Sequence, residues 1–287
     1  MNNSDKYQKV FHFFITRIIV GILVVGGAVA LVEWIGRTIL DRTNLAVETK
    51  EFIIAIPVCI IALICYILLY RTYEKRSITE LSVNRFVKDA LSGFVAGFLL
   101  QSLPVAIIYF YGGYKIEQVN SVSFLLPAFN AAIVAGFVAE IIIIGVIFRL
   151  TEERTGTTIA LIILTLLFAF MHINVKGANI ISVLSTAIQA GLLLSAAYAF
   201  TRSLWFVIFF HFAWDLTEPG IYGGINPGNR VESSLLTSKI SGADLLTGGI
   251  LGPQNSIQSL LFCLVASLIF ILLAKKKNNW INRGRIM

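Results

Sequence analysis

Long runs of apolar residues recur along the chain, separated by short stretches of polar and charged residues. An α-helix needs about 20 predominantly apolar residues to cross the hydrocarbon core of a bilayer. The pattern predicts eight spans, the seventh of which is short. They are Ile18–Ile35, Phe52–Leu69, Ala90–Tyr111, Phe124–Leu150, Thr157–Ile173, Asn179–Phe200, Leu204–Leu216 and Ile257–Ala274. We therefore expect an all-α fold, a polytopic membrane helix bundle with about eight transmembrane helices.

The composition supports a membrane protein and excludes several other classes. Hydrophobic residues make up 57% of the chain and charged residues 14%, against roughly 25% charged residues in an ordinary globular protein. So little polar surface is incompatible with a water-soluble particle, a disordered chain or a disulfide-rich secreted module. The three cysteines lie within apolar runs and lack metal-ligand spacing, so we expect them to be small packing residues.

The distribution of cations predicts an orientation. With the N-terminus inside, sixteen of the 23 Lys and Arg residues fall in cytoplasmic segments and seven in outer segments. Cytoplasmic loops of membrane proteins carry an excess of Lys and Arg, so both termini are predicted to be cytoplasmic. The chain has a net charge of +7 but no basic stripe typical of nucleic-acid binding. We expect the lipid bilayer, and no nucleic acid, as a partner.

Four ionisable side chains lie inside the apolar runs, where a charged group costs about 2.5–3.5 kcal/mol on insertion scales. They are Glu140, His172, His211 and Asp215. His211 and Asp215 are four residues apart and share one face of a helix. Each group alone has an ordinary explanation: a packed histidine, a His–Asp pair that neutralises itself, or a protonated glutamic acid that donates a hydrogen bond. Their combination on three separate spans favours a functional site.

Three short motifs surround these residues, one on each of three spans. They are Ala139–Gly145 followed by Phe148-Arg149, Phe168–His172, and His211–Asp215. In order and spacing they resemble the motifs of the CPBP intramembrane proteases, which include the type II CAAX prenyl proteases and bacteriocin-processing or immunity relatives. That family has Glu-Glu-x-x-x-Arg, Phe-x-x-x-His, and His-x-x-x-Asn or His-x-x-x-Asp on successive helices. The resemblance covers roughly residues 76–274.

The resemblance implies a membrane-embedded endopeptidase that acts on a membrane-associated peptide or protein. Glu140 and His172 would activate a water molecule, while His211 and Asp215 would hold the developing oxyanion or orient the site. Glu140, His172 and His211 are also a conceivable ligand set for Zn²⁺. Because no His-Glu-x-x-His motif occurs, water activation by the side chains alone is favoured, and no other cofactor is expected.

The first motif departs from the family pattern at two positions. Ala139 stands where the family has its first glutamate, and Ile144 where it has arginine. Neighbouring helical positions point about 100° apart, so Glu140 cannot replace residue 139 without a local rotation. Two hypotheses stay open: Glu140 acts as the base, or the chain is a silent pseudoprotease that serves as a membrane scaffold or immunity protein. A proton-relay transporter is disfavoured, because no paired inverted halves are evident.

We expect a single membrane-embedded domain across residues 1–287. An N-terminal two-helix segment, residues 1–75, would precede a CPBP-like core, residues 76–274, and a basic cytoplasmic tail, residues 275–287. The resemblance implies the bacterial plasma membrane as the location. The stretch Thr217–Gly252 is polar and rich in glycine, and it predicts an outer loop.

Overall fold

The computed structural model describes residues 13–175, 179–223 and 233–282. Helices, two short strands and the turns between them make up the described residues. In chain order they are α1 (Phe14–Leu40), α2 (Val47–Tyr73), α3 (Phe86–Phe110), β1 (Tyr114–Val119), α4 (Val122–Thr155), α5 (Thr157–His172), α6 (Ile180–Thr201), α7 (Leu204–Leu216), β2 (Leu236–Ile240), α8 (Asp244–Thr247) and α9 (Ile257–Lys276).

Each predicted span coincides with one of these helices, which confirms the polytopic helical membrane bundle. In the described part of the chain, six helices are long and apolar enough to cross a membrane, namely α1, α2, α3, α4, α6 and α9. Helix α5 is apolar but has 16 residues, and α7 has 13. Large apolar side chains on the outer faces are exposed, for example Leu23 at 67% and Trp34 at 66%, as helices that contact lipid require.

The stretch predicted as an outer loop contains regular structure. Helix α7 continues as a π-helix through Thr217–Tyr222 and ends at Gly223, whose φ is 60°. Further along, β2 pairs antiparallel with β1, with Tyr114 opposite Ile240. The sequence analysis missed both strands, because each is a short segment with little alternation and its partner lies far away in the sequence.

A network of ion pairs joins α1, α2 and α4 at one end of the bundle. Arg17 contacts Glu74 at 2.7 Å and Glu153 at 3.0 Å. Arg149 contacts Glu74 at 3.1 Å. Apart from Glu153 these side chains are largely buried, so the pairs are screened less than surface ion pairs. The network attaches the N-terminal two-helix segment directly to the helix that contains Glu140.

Helix α7 packs very closely against its neighbours because they present glycines to it. On α3, a Cβ atom added at Gly93 would overlap the backbone carbonyl oxygen of Phe206 on α7. A Cβ atom added at Gly97 would overlap the carbonyl oxygen of Phe210. On α4, a Cβ at Gly136 would lie 2.8 Å from the Ile208 carbonyl oxygen. Glycines four apart are a common basis of close helix packing in membranes. This packing fixes the position of α7, which contains the third motif.

The predicted division at residues 75 and 274 and the cytoplasmic location of both termini stay predictions. Some cations counted for the orientation lie outside the described residues. These are Lys6, Lys9, Lys176, Arg230, Arg283 and Arg285.

Candidate active site on helices α4, α5 and α7

Helix α7 presents the third motif to the interior of the bundle. The helix begins after Ser203, whose hydroxyl accepts a hydrogen bond from the Phe206 backbone N–H and so caps the first turn. One turn separates His211 from Asp215, and His211 Nε2 lies 3.3 Å from Asp215 Oδ2. The predicted His–Asp pair is therefore in contact.

Glu140 of α4 meets the same histidine from the other side. Glu140 Oε1 lies 2.7 Å from His211 Nδ1, and the glutamate is 1% exposed. Its second oxygen is buried and has no hydrogen-bond partner among the described residues. An ionised carboxylate only accepts hydrogen bonds, so with Glu140 ionised the Nδ1 atom of His211 carries a proton. The contact holds the imidazole ring of His211 in one orientation.

The helix around Glu140 departs from α geometry on both sides. Ala135–Ala139 and Ile141–Phe148 are π-helical. A π turn contains about one residue more than an α turn, so it rotates the following side chains by about 100°. This is a distortion of the kind that Glu140 needs if it is to take the place of residue 139. At the other departing position, Ile144 is fully buried in the apolar core.

His172 ends helix α5. Its Nδ1 lies 2.9 Å from the Phe168 carbonyl oxygen, and its ring stacks on the Phe168 ring with the centroids 6.2 Å apart. A carbonyl oxygen only accepts hydrogen bonds, so Nδ1 carries the proton and Nε2 is the basic nitrogen of the neutral ring. The Phe-x-x-x-His motif thus sets the tautomer of its own histidine.

A cavity of about 370 Å³ connects the second and third motifs. Its lining includes His172 from α5 and both His211 and Asp215 from α7. Apolar side chains, neutral amides and the hydroxyls of Ser182 and Thr186 complete the wall, with Phe168 and Gln254 among the first two kinds. The volume lies within the usual range of ligand pockets, about 300–1,000 Å³. The two histidines can therefore act on one molecule held between them.

Three of the four predicted site residues are in direct contact, namely Glu140, His211 and Asp215. His172 shares the cavity with His211 and Asp215, but none of the contacts among the described residues joins it to Glu140. Glu140 is not part of the cavity lining and reaches it through His211. The geometry thus pairs Glu140 with the third-motif histidine, whereas the resemblance implies that it acts with the second-motif histidine.

The sequence analysis missed two polar residues next to the site. Glu218 is 4% exposed, and its Oε2 accepts hydrogen bonds from the Gln101 side chain and, at 2.8 Å, from the Gln254 backbone N–H. Glu218 lies three residues after Asp215 and seven residues after His211. This spacing places the three side chains on one helical face. That signal was available, but Pro219 and the glycines after it predicted a loop. No local signal distinguishes Gln254.

The described residues do not fit a metal site. No group of three His, Cys, Asp or Glu side chains among them is arranged to hold a metal ion. His211 directs one ring nitrogen at each of two carboxylates, whereas a metal-binding histidine presents an unprotonated nitrogen to the ion. The set of Glu140, His172 and His211 considered for Zn²⁺ therefore does not match this geometry.

These features define a polytopic helical membrane protein in which two histidines and a carboxylate line one cavity. Residues 121–217 match the family model described as Type II CAAX prenyl endopeptidase Rce1-like. The match covers about a third of the chain and contains all three motifs. Over this segment the chain is similar to that membrane endopeptidase family, and the match confirms the resemblance to the CPBP proteases there. Searches of curated proteins and of solved structures found no match to the chain.

Proposed function

We propose that this chain is a membrane-embedded endopeptidase that hydrolyses a peptide bond of a membrane-associated peptide or protein. The observation that supports it is the shared cavity, which His172 lines from one helix and the His211–Asp215 pair from another. Peptide hydrolysis needs an acceptor for the proton of the attacking water and a donor that faces the carbonyl oxygen. The two histidines supply one of these functions each.

His172 is the proposed general base. Its Nε2 takes a proton from water as the water oxygen bonds to the carbonyl carbon of the substrate. The electron pair of the carbonyl π bond moves to the carbonyl oxygen, which becomes anionic. When this intermediate collapses, the bond between the carbon and the amide nitrogen breaks. The proton held by His172 then passes to the leaving nitrogen.

His211 is the proposed electrophile. Its Nδ1 is held by Glu140 at 2.7 Å, so Nε2 is the nitrogen left to donate to the developing oxyanion, and its N–H is shared between the oxyanion and Asp215. Asp215, 3.3 Å from Nε2, stabilises the positive charge on a ring that is protonated at both nitrogens. Glu140 acts through His211 and is therefore a positioning residue.

A cleavage assay on the purified full-length chain in lipid nanodiscs tests the proposal. The substrates are quenched-fluorescent peptides, each offered with and without a farnesyl group on a C-terminal cysteine. We expect cleavage of part of the panel and a fall in kcat of about 10²–10⁴-fold for His172→Ala. The control Gln118→Ala removes an exposed amide on β1, outside the cavity, and is expected to stay active.

The opposite outcome is equally specific. If the chain cleaves no peptide while the double variant Ala139→Glu with Ile144→Arg does, the proposal is contradicted, since the departures in the first motif would then have removed the activity.

A catalytically silent scaffold or immunity protein is the second candidate. Two observations favour it: Ile144 is buried where the family has arginine, and Glu140 lies outside the cavity lining. In that case Glu140→Gln and His172→Ala leave the cellular phenotype intact, whereas deletion of the whole chain abolishes it.

A further inference from the structure

Gln254 lies on the cavity wall, in the 3-10 turn Pro253–Asn255. Its backbone N–H donates to Glu218 Oε2 at 2.8 Å. Its backbone carbonyl accepts from Gln189 Nε2 at 2.5 Å. Its side-chain Oε1 accepts from Trp214 Nε1 at 3.3 Å. Three of its four polar groups thus bind the turn to α6, α7 and the extension of α7.

The fourth group, the side-chain NH₂, has no acceptor among the described residues. The contact with Trp214 shows which side-chain atom of Gln254 is the NH₂ nitrogen. The indole N–H of Trp214 can only donate, so the atom of Gln254 that it contacts is the amide oxygen, and the other atom is the NH₂ nitrogen. An amide NH₂ on a cavity wall without a protein acceptor is free to donate to a molecule inside the cavity.

We propose that Gln254 is a further catalytic residue of this site, whose side-chain NH₂ donates a hydrogen bond to the oxygen that becomes anionic during peptide hydrolysis. The inference rests on the proposed endopeptidase function and adds a donor that lies outside the three motifs. The donor shares the cavity with His172 and His211. It is neutral, so it stabilises the oxyanion without competing with His172 for the proton of water. Its amide is already oriented by Trp214, which limits the reorganisation needed in the transition state.

Glu218 is the positioning residue for this donor. Its buried carboxyl accepts from the Gln101 side chain on α3 and from the Gln254 backbone N–H. Gly252, whose φ is 80°, directly precedes the turn, and this is a backbone conformation that favours glycine. The hydrogen bond to Glu218 therefore helps to hold Gln254 against the cavity, together with the hydrogen bonds from Gln189 and Trp214.

The test compares kcat and KM of the full-length chain with those of Gln254→Met, using any peptide of the panel that the chain cleaves. Methionine is similar in length and leaves both backbone hydrogen bonds of residue 254 in place, but it cannot donate. Losing an oxyanion donor lowers kcat by about 10²–10³-fold, and KM is expected to change little because the interaction forms in the transition state. Gln118→Ala serves as the control for loss of an amide elsewhere.

A second pair of variants tests the positioning role. Glu218→Gln keeps an oxygen that accepts from the backbone N–H of residue 254, whereas Glu218→Leu does not. We expect Glu218→Gln to retain kcat and Glu218→Leu to lower it in the folded fraction, as judged by thermal unfolding of the same sample. Should Gln254→Met fail to fold, Gln254→Glu, which has the same shape, is expected to lower kcat at least as strongly because its carboxylate repels the oxyanion.

The outcomes separate this inference from the function on which it rests. If the chain cleaves peptides and a folded Gln254→Met or Gln254→Glu retains wild-type kcat, the assignment of Gln254 is wrong and the endopeptidase proposal stands. If the chain cleaves no peptide of the panel, the endopeptidase proposal fails, and the assignment of Gln254 fails with it.

Discussion

Glu140 and His211 are 71 positions apart in the chain and in contact at 2.7 Å. The contact joins the π-helical middle of α4 to the centre of α7, and it occupies Nδ1 of the imidazole so that Nε2 is left for the cavity and Asp215. In the proposed mechanism this contact gives the altered first motif a role, since Glu140 orients a histidine and lies outside the cavity lining.

Replacement of Glu140 by glutamine tests this role. Glutamine retains the shape of the side chain but removes its charge and offers either an oxygen or an NH₂ group to Nδ1, so the ring of His211 is no longer held in one protonation state. We expect kcat of Glu140→Gln to fall by about 10²-fold or more, with the unfolding temperature nearly unchanged. A variant with wild-type kcat would show that Glu140 does not act through His211.

Close packing of α3 against α7 is expected to be essential for the position of His211. A Cβ at residue 97 would overlap the backbone carbonyl of Phe210, next to the histidine, and overpacking of this kind costs about 1–3 kcal/mol. Gly97→Ala should therefore lower both the unfolding temperature and the cleavage rate.

The matched control is Gly27→Ala on α1, where a Cβ atom meets no other atom within 4 Å. This change is expected to stabilise the protein, because replacing a helical glycine by alanine contributes about 0.5–1 kcal/mol. Equal effects of the two changes would contradict the packing argument.

Restoration of the family arginine alone is expected to destabilise the protein. Ile144 is fully buried, and an arginine placed within a membrane helix costs about 2.5–3.5 kcal/mol. In Ala139→Glu with Ile144→Arg the two new charges lie five residues apart in a π-helical stretch, where such positions face each other. The double variant should therefore recover part of the unfolding temperature lost in Ile144→Arg. If the double variant unfolds at a temperature no higher than Ile144→Arg does, the two charges do not pair.

Acid is expected to destabilise the end of the bundle that contains Arg76 and Glu80. Burial by itself raises the pKa of the Glu80 carboxyl, but the hydrogen bonds and positive charge of Arg76 outweigh burial, and the pKa lies below its ordinary value of 4.5. Since the folded-state pKa is the lower one, the contribution of Glu80 to the free energy of unfolding is fully present above about pH 4.5 and is lost as the pH falls through the folded-state pKa.

Thermal unfolding followed from pH 7 to pH 3 measures this effect. Glu80→Gln removes the titrating group, so its unfolding temperature should be lower at neutral pH and should fall less steeply in acid. The pKa of Glu74 is lowered in the same direction, because Arg149 and Arg17 outweigh its burial, so some acid dependence should remain in Glu80→Gln. An unfolding curve with the same acid dependence in both proteins would contradict the role of Glu80.

The sequence does not show by itself that His172 and His211 line one cavity. Counting residues from the helix ends gives His172 a different level from His211, yet the two line one cavity. A count along ideal helices takes no account of where each helix begins relative to its neighbours or of the π-helical stretch in α6, Ala187–Leu193. Such a count therefore cannot predict which side chains of different helices lie at the same depth.

By itself the sequence determined the membrane class, the helical segments and the three motifs, because lipid imposes a length and polarity on each span that can be counted locally. Tertiary structure decided which side chains meet. The pairing of Glu140 with His211 and the hydrogen bond between Gln254 and Glu218 depend on contacts between segments far apart in the chain. The NH₂ of Gln254, which has no acceptor among the described residues, and the continuation of α7 to Glu218 are likewise seen only in the tertiary structure. Such contacts arise from close packing, as at Gly97 against Phe210, and from local π turns that rotate a side chain, and neither leaves a periodic pattern in the sequence.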